Sequence, residues 1–98
     1  MEARLLIVDD EEIALLNLQH VMEKEGYQVT AARSGAAAVK LLEQKDFDVV
    51  LTDLRMEGVD GMDVLRKSRA LQPGVEVIFI TGYATAESAV HRGSSIPP

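Results

Sequence analysis

The sequence predicts an α/β fold, a doubly wound parallel sheet with helices on both faces, and three observations favour it. Apolar segments of strand length alternate with longer amphipathic segments in the order β-α-β-α-β-α-β. Three apolar segments, at residues 5–8, 47–53 and 75–81, are nearly continuous, as in strands buried on both faces. Each of the three ends at a polar residue or is followed directly by one. Elements that alternate in this way form parallel sheets through right-handed crossovers.

The first strand and the first helix are predicted from a change in apolar spacing. The strand is the run LLIV, which ends at Asp9. Over residues 13–25 the apolar side chains recur at helical spacing in a broad stripe, which indicates a helix covered on more than one side. Gly26 is a natural stop for this helix. We expect Glu11 and Glu12 to be first-turn acids that complement the helix dipole.

The middle of the chain predicts a second strand, a second helix and a third strand. Residues 27–32 are shorter and less apolar than the other strands, which favours a strand at the edge of the sheet. Ser34 is placed to cap a helix that extends to about residue 44. The segment FDVVLTD at residues 47–53 is the third strand.

The remaining elements follow the same alternation. A third helix is predicted over residues 62–71, and QPG at residues 72–74 separates it from the fourth strand, VEVIFIT, at residues 75–81. Thr85 is placed to cap a further short helix that ends at about His91.

The composition indicates one soluble domain and excludes several functions. The chain has 98 residues, of which 47% are hydrophobic and 27% charged. A net charge of −6 argues against nucleic-acid binding, and the short basic patch Arg66, Lys67 and Arg69 is expected to be a solvated helix face. The absence of cysteine excludes disulfides and thiolate metal sites and fits a cytoplasmic location. No apolar run approaches the roughly 18 residues of a membrane span.

Polar residues at the ends of three predicted strands are the candidate site. Asp9 and Asp10 follow the first strand, Asp53 ends the third and Thr81 ends the fourth. Alone, each has a structural interpretation, as a helix cap, a loop residue or a hydroxyl that bonds to local backbone. Together they lie on the carboxyl edge of a parallel sheet, where α/β folds place ligands. The set therefore predicts a functional site.

The three aspartates predict a divalent cation. Carboxylates placed so close together repel one another, and a hard cation with oxygen ligands relieves that repulsion. Mg²⁺ fits this ligand set better than any soft metal. An aspartate beside Mg²⁺ is also a possible phosphoryl acceptor.

Three segments, LLIVDDEE, DVVLTDLRMEGVDGMDVL and VIFITGYATAESAV, resemble the receiver domains of two-component response regulators, the CheY-like family. The sequence around Asp53 and Thr81 is similar to that of receivers of the NtrC type. The resemblance covers residues 3 to about 90. It implies a flavodoxin-like fold with the strand order 2-1-3-4 for the strands present.

The resemblance also implies roles for the site residues. Asp53 matches the aspartate that a histidine kinase phosphorylates, so the domain is a phosphoacceptor and not an enzyme in its own right. Asp10 matches the direct Mg²⁺ ligand and Asp9 the acid that assists, usually through water. The backbone carbonyl of Arg55 would complete the protein's share of the metal ligands.

Further roles concern switching and the lifetime of the phosphoryl group. Thr81 matches the switch hydroxyl that moves toward the phosphate after transfer. Arg55 and Tyr83 occupy the variable positions that tune how long the phosphoryl group survives. Glu57 stands where many receivers carry proline, which frees the preceding residue from the pre-proline restriction.

The sequence departs from the family beyond the fourth strand. Receivers continue through a fifth strand that ends in a phosphate-binding lysine, and a fifth helix; we expect both to be missing here. No lysine can take that role, since all four are in predicted helices: Lys24, Lys40, Lys45 and Lys67. We therefore expect residues 1–90 to be a truncated receiver domain and residues 91–98 a tail outside the pattern, disordered or added artificially.

Two alternatives remain open at this point. Without a fifth strand, the apolar fourth strand is an open edge and the first helix lacks a neighbour, which predicts a homodimer or swapped dimer through these two elements. The chain would then be a receiver fragment that self-associates and does not signal. A Mg²⁺-dependent aspartyl phosphohydrolase is disfavoured, because Arg55 occupies the position of that class's acid/base aspartate.

Overall fold

Residues 2–80 are described by the computed structural model, and they form one four-stranded parallel sheet with helices on both faces. The elements are β1 (Arg4–Val8), α1 (Glu12–Lys24), β2 (Gln28–Ala32), α2 (Gly35–Gln44), β3 (Val49–Asp53), α3 (Gly61–Leu71) and β4 (Glu76–Ile80).

The strand order is β2-β1-β3-β4, which confirms the predicted doubly wound sheet and the predicted order 2-1-3-4. Every neighbouring pair is parallel. At the carboxyl edge, Val8 of the central strand β1 lies opposite Ala32 on one side and Thr52 on the other. Asp9 and Asp53 come directly after two paired residues and therefore lie at the same edge of the sheet.

Apolar side chains fill a layer on each face of the sheet. Because successive side chains of a strand point to opposite faces, the central strands β1 and β3 contribute to both layers. The face toward α2 and α3 buries Leu6, Val8, Ala32, Ala38, Leu42, Phe47, Val50, Val64 and Val75. The face toward α1 buries Leu5, Ile7, Leu15 and Leu51.

The helices α1 and α3 each begin one residue earlier than predicted, and an acidic side chain caps each of them. Glu11 is the N-cap of α1: its carboxylate accepts a hydrogen bond from the N–H of Ala14 at 2.9 Å. The expectation that Glu11 is merely a first-turn acid is therefore corrected. At α3, Asp60 and Asp63 form a reciprocal capping box. Ser34 caps α2, as predicted.

The third strand begins later than predicted. Residues 47–53 were expected to be extended, but β3 covers Val49–Asp53. Phe47 is buried in the layer beneath α2 and α3, and its N–H donates a hydrogen bond to the side chain of Gln72 instead of joining the strand ladder. Lys45 likewise lies just past α2, as its C-cap, and not within the helix as predicted.

Large apolar side chains of α1 and β4 are exposed at the surface. On α1, Leu15 is buried but Ile13 is 67% and Leu16 53% exposed. On β4, Ile78 is 49% and Phe79 36% exposed. Among the described strands β4 lies at one edge of the sheet. None of the described helices has the length and apolarity to cross a membrane.

Candidate functional site

Three carboxylates meet at the carboxyl edge of the sheet, as predicted. Asp9, Asp10 and Asp53 each offer an oxygen, and these oxygens all lie within 4.8 Å of one another. Asp9 and Asp53 are buried, whereas Asp10 is exposed. Two buried carboxylates and one that reaches solvent make a site that a small ion can enter from one side.

Backbone hydrogen bonds hold Asp9 in place. Its N–H donates to the carbonyl of Ala32 at 3.1 Å, which extends the pairing of β1 with β2 by one residue. Its Oδ1 accepts a hydrogen bond from the N–H of Glu11 at 2.9 Å. The turn that leads into α1 therefore fixes the orientation of the Asp9 carboxylate.

The turn after β3 orients Asp53 in a similar way. The N–H of Arg55 points to Oδ1 of Asp53, with 3.4 Å between nitrogen and oxygen. Arg55 itself is exposed, in the loop between β3 and α3. This loop carries the backbone carbonyl that was predicted to face a metal ion.

Thr52 is a residue of the site region that sequence reasoning missed. It is fully buried, and its hydroxyl donates a hydrogen bond to the backbone carbonyl of Asp53 at 3.0 Å. A single polar residue inside the apolar run VVLTD was the available signal. The hydrogen bond satisfies the hydroxyl and restrains the backbone of Asp53.

The electrostatics of the cluster favour a cation. Burial raises the pKa of Asp9 above its usual value, and the charges of Asp53, Asp10 and Glu11 raise it further, while the hydrogen bond from the N–H of Glu11 lowers it. A buried carboxylate among like charges is stabilised by a nearby positive ion. The donor set consists of oxygen atoms only, which fits Mg²⁺.

An open groove extends from Asp10 along the loop after β3. It has a volume of about 620 Å³, and Asp10, Arg55, Met56, Glu57 and Met62 are among its lining residues. The groove gives a phosphate-sized group access to the acidic edge of the sheet.

The described lysines lie in or beside helices. Lys24 is in the last turn of α1, Lys40 is in α2, Lys67 is in α3, and Lys45 follows α2. Lys45 donates a hydrogen bond to the hydroxyl of Thr30 at 3.3 Å. The predicted switch residue Thr81 and the predicted tuning residue Tyr83 lie outside the described residues.

The sheet order and the acidic edge define a doubly wound α/β domain with a candidate cation site at its carboxyl edge, and comparison with known proteins gives the family. The family model "Response regulator receiver domain" matches residues 5–94. The chain therefore belongs to the receiver domains of two-component response regulators, which are signalling modules and not classical enzymes.

Curated relatives are transcriptional regulators. The chain is 37% identical over 89 residues to the alginate biosynthesis transcriptional regulatory protein AlgB of Pseudomonas putida, covering 91% of this chain and 20% of that protein. It is 39% identical over 88 residues to the transcriptional regulatory protein GlrR of Escherichia coli, with coverages of 90% and 20%. The chain thus spans about a fifth of the length of these relatives, which are of the NtrC type.

Solved receiver structures share the fold. A CheY-like receiver domain protein of Methanospirillum hungatei superposes with a TM-score of 0.80 at 32% identity, covering 97% of this chain and 76% of that one. The response regulator TrrA of Thermotoga maritima, solved in complex with Mg²⁺-BeF, superposes with a TM-score of 0.78 at 29% identity, with coverages of 92% and 80%. These similarities agree with the predicted family and fold.

Proposed function

We propose that this chain is a cytoplasmic phosphoacceptor that takes a phosphoryl group on Asp53 from a histidine kinase. The observation that carries the proposal is the meeting of three carboxylates within 4.8 Å at the carboxyl edge of the sheet. Asp53 ends β3 at this edge, and an open groove is lined by Asp10 and by the residues that directly follow Asp53, Leu54 and Arg55. The structure of TrrA with Mg²⁺-BeF supports the proposal, because that receiver holds a metal ion and a fluoride complex.

The chemistry requires an oriented nucleophile. A carboxylate oxygen of Asp53 attacks the phosphorus of a phosphohistidine, the P–N bond breaks, and its electron pair remains on the imidazole nitrogen. An acyl phosphate is formed. The N–H of Arg55 restrains the carboxylate of Asp53, and the hydroxyl of Thr52 restrains its backbone carbonyl. The nucleophile is therefore positioned before the phosphoryl donor arrives.

The remaining acids and the loop would hold Mg²⁺. Asp10, Asp53 and the backbone carbonyl of Arg55 are the proposed direct ligands, and Asp9 assists from its buried position. When bound, Mg²⁺ neutralises charge on the transferring phosphoryl group. Without it, three carboxylates would repel the incoming phosphate.

Two further residues complete the proposal. Thr81 follows β4 directly and is proposed as the switch hydroxyl that senses the phosphoryl group. Tyr83 and Arg55 are proposed to tune how long the acyl phosphate survives. A Thr81→Ala variant should still accept phosphate but should lose the conformational change that follows.

The test is phosphorylation by a small-molecule donor. The chain is incubated with MgCl₂ and acetyl phosphate, and its intact mass is measured. We expect an increment of one phosphoryl group that hydroxylamine removes, that EDTA prevents, and that is absent in Asp53→Asn. Asp46→Asn, which changes an exposed aspartate after the end of α2, is the matched control and should be modified like the wild type. A folded wild-type chain that gains no mass would contradict the proposal.

A second candidate property is self-association through β4 and α1. The observation that favours it is the exposure of large apolar side chains on these elements, Ile78 and Phe79 on β4 and Ile13 and Leu16 on α1. We propose that a second copy covers them. Sedimentation velocity at micromolar concentration should show a dimer that Ile78→Lys disrupts. Ala36→Lys, which changes an exposed residue of α2, should leave the dimer intact. A monodisperse wild-type monomer would exclude this property.

A further inference from the structure

We propose that Gly35 is a positioning residue for the loop that forms one side of the metal site, although it is not part of the site. This inference rests on the proposed function, because it concerns how Mg²⁺ is held. Residues 54–60, here called the acceptor loop, connect β3 to α3 and contain Arg55, whose carbonyl is the proposed backbone ligand. The first residue of α2, Gly35, packs directly against this loop.

The contact between Gly35 and Val59 is close enough to exclude any side chain. A Cβ placed on Gly35 would lie 2.8 Å from both the carbonyl carbon and the Cβ of Val59, and closer still to the Val59 carbonyl oxygen. Two of these three atoms are backbone, so a rotamer change of Val59 cannot make room. The loop itself would have to move away from α2.

A second glycine fixes the other end of the acceptor loop. A Cβ on Gly61 would lie 2.7 Å from the Cα of Leu54 and still closer to the backbone carbonyl oxygen of Asp53. The N–H of Gly61 donates a hydrogen bond to the carbonyl of Leu54 at 3.0 Å. The loop therefore leaves β3 and returns to it, and residues 54–59 are held by a glycine contact at each end.

Between these contacts, two side chains of the loop also pack against the core. Met56 and Val59 pack against the core beneath α2 and α3. Gly58 has a φ of +74°, and Glu57 is exposed. A proline would restrict the loop by itself. Here the contact of Val59 with Gly35 supplies that restriction. By limiting how the acceptor loop can move, it would position the carbonyl of Arg55, the proposed backbone ligand.

The experiment compares Mg²⁺ affinity with stability in matched variants. Gly35→Ala adds a methyl group on α2 that pushes Val59 away. Val59→Ala changes the loop itself and removes the packing of the Val59 side chain. Gly74→Ala is the control for the first, since a Cβ there meets nothing within 4 Å and its φ is not positive. Val75→Ala is the control for the second. Val75 lies in the same core layer but directly before β4, at the end of the sheet opposite the acids.

Mg²⁺ affinity is measured by isothermal titration calorimetry at a temperature where circular dichroism shows each variant fully folded. We expect Gly35→Ala and Val59→Ala to weaken Mg²⁺ binding about tenfold, the lower end of what residues supporting a metal ligand contribute. The rate of modification by acetyl phosphate should fall in parallel. Both controls should bind Mg²⁺ like the wild type, even though Val75→Ala lowers the melting temperature.

The outcomes separate this inference from the proposed function. If the wild type binds Mg²⁺ and all four variants bind it equally well, the positioning role of Gly35 is overturned and the proposed function is not. A wild type that binds no Mg²⁺ overturns the proposed function and this inference with it. If Gly35→Ala does not fold, Val59→Ala against Val75→Ala decides the question.

Discussion

The side chain of Gln72 accepts a hydrogen bond from the backbone N–H of Phe47 at 2.8 Å, across 25 residues of sequence. The same amide group donates through Nε2 to the carbonyls of Leu42 at 2.9 Å and Lys45 at 2.6 Å. Gln72 is the C-cap of α3. One side chain therefore joins the end of α3 to the end of α2 and to the segment that enters β3.

The first prediction concerns this amide. Gln72→Ala leaves one backbone N–H and two carbonyls without their partner, and we expect it to lower the free energy of unfolding by about 2–3 kcal/mol. Urea denaturation followed by circular dichroism measures the change. Gln44→Ala, at the exposed end of α2, is the matched control and should change stability little. Equal effects of the two substitutions would show that the Gln72 hydrogen bonds contribute nothing.

The second prediction is a pH dependence that arises from Asp48. The N–H of Arg4 donates to Oδ2 of Asp48 at 2.7 Å, and the guanidinium approaches the same oxygen at 3.4 Å. The backbone hydrogen bond, followed by the side-chain bond and the charge of Arg4, lowers the pKa of Asp48 below 3.8. A carboxylate with a lowered folded-state pKa stabilises the fold above the unfolded pKa, and this contribution is lost as pH falls through the folded value.

Urea denaturation at a series of acidic pH values checks this dependence. Asp48→Asn should be less stable than the wild type near neutral pH, and the difference should shrink as the solution is acidified below pH 3.8. Asp46→Asn is the control: no hydrogen bond to its carboxylate is present in the described part of the chain, so its curve should parallel that of the wild type. A constant difference between Asp48→Asn and the wild type at all pH values would refute the assignment.

Much of the fold was predictable because its determinants are local. The strands are short apolar runs, and parallel strands align their carboxyl ends, so the meeting of Asp9 and Asp53 followed from their positions after β1 and in β3. The Gln72 amide was not predictable. Its partners lie 25–30 residues away, and a glutamine after a helix carries no sign of which carbonyls it will reach.

The steric details of the site were also beyond sequence reasoning. Glycine at position 35 is compatible with any helix start, and only the packing of α2 against the acceptor loop reveals that Val59 occupies the space of its missing side chain. Thr52 looks like a strand residue of ordinary β propensity, and its hydrogen bond to the carbonyl of Asp53 depends on the local turn.

The third prediction uses linkage between Mg²⁺ and folding. A ligand that binds only the folded chain raises the free energy of unfolding by about 2.7 kcal/mol at a concentration one hundred times its Kd. We expect MgCl₂ to stabilise the wild type in this way and to stabilise Asp10→Asn much less. In EDTA, Asp9→Asn should be more stable than the wild type, because it removes one buried charge from the cluster and keeps an oxygen for the N–H of Glu11.

Thermal unfolding with and without MgCl₂ tests this third prediction. Glu43→Gln, an exposed acid in α2, is the control for a general effect of charge and should respond to MgCl₂ like the wild type. If Asp9→Asn is less stable than the wild type in EDTA, the three carboxylates do not repel one another in the metal-free fold.

The fourth prediction is that two serines, each changed to alanine, move stability in opposite directions. Ser34 caps α2, and its hydroxyl accepts a hydrogen bond from the N–H of Ala37 at 3.0 Å, so Ser34→Ala should lower the free energy of unfolding by about 1 kcal/mol. Ser68 is fully buried in α3, and among the described residues its hydroxyl has no hydrogen-bond partner. Ser68→Ala removes an unsatisfied polar group and improves helix propensity, so stability should rise by about 0.5–1 kcal/mol. Urea denaturation of both variants beside the wild type measures the signs. A loss of stability in Ser68→Ala would show that its hydroxyl has a partner in the folded chain.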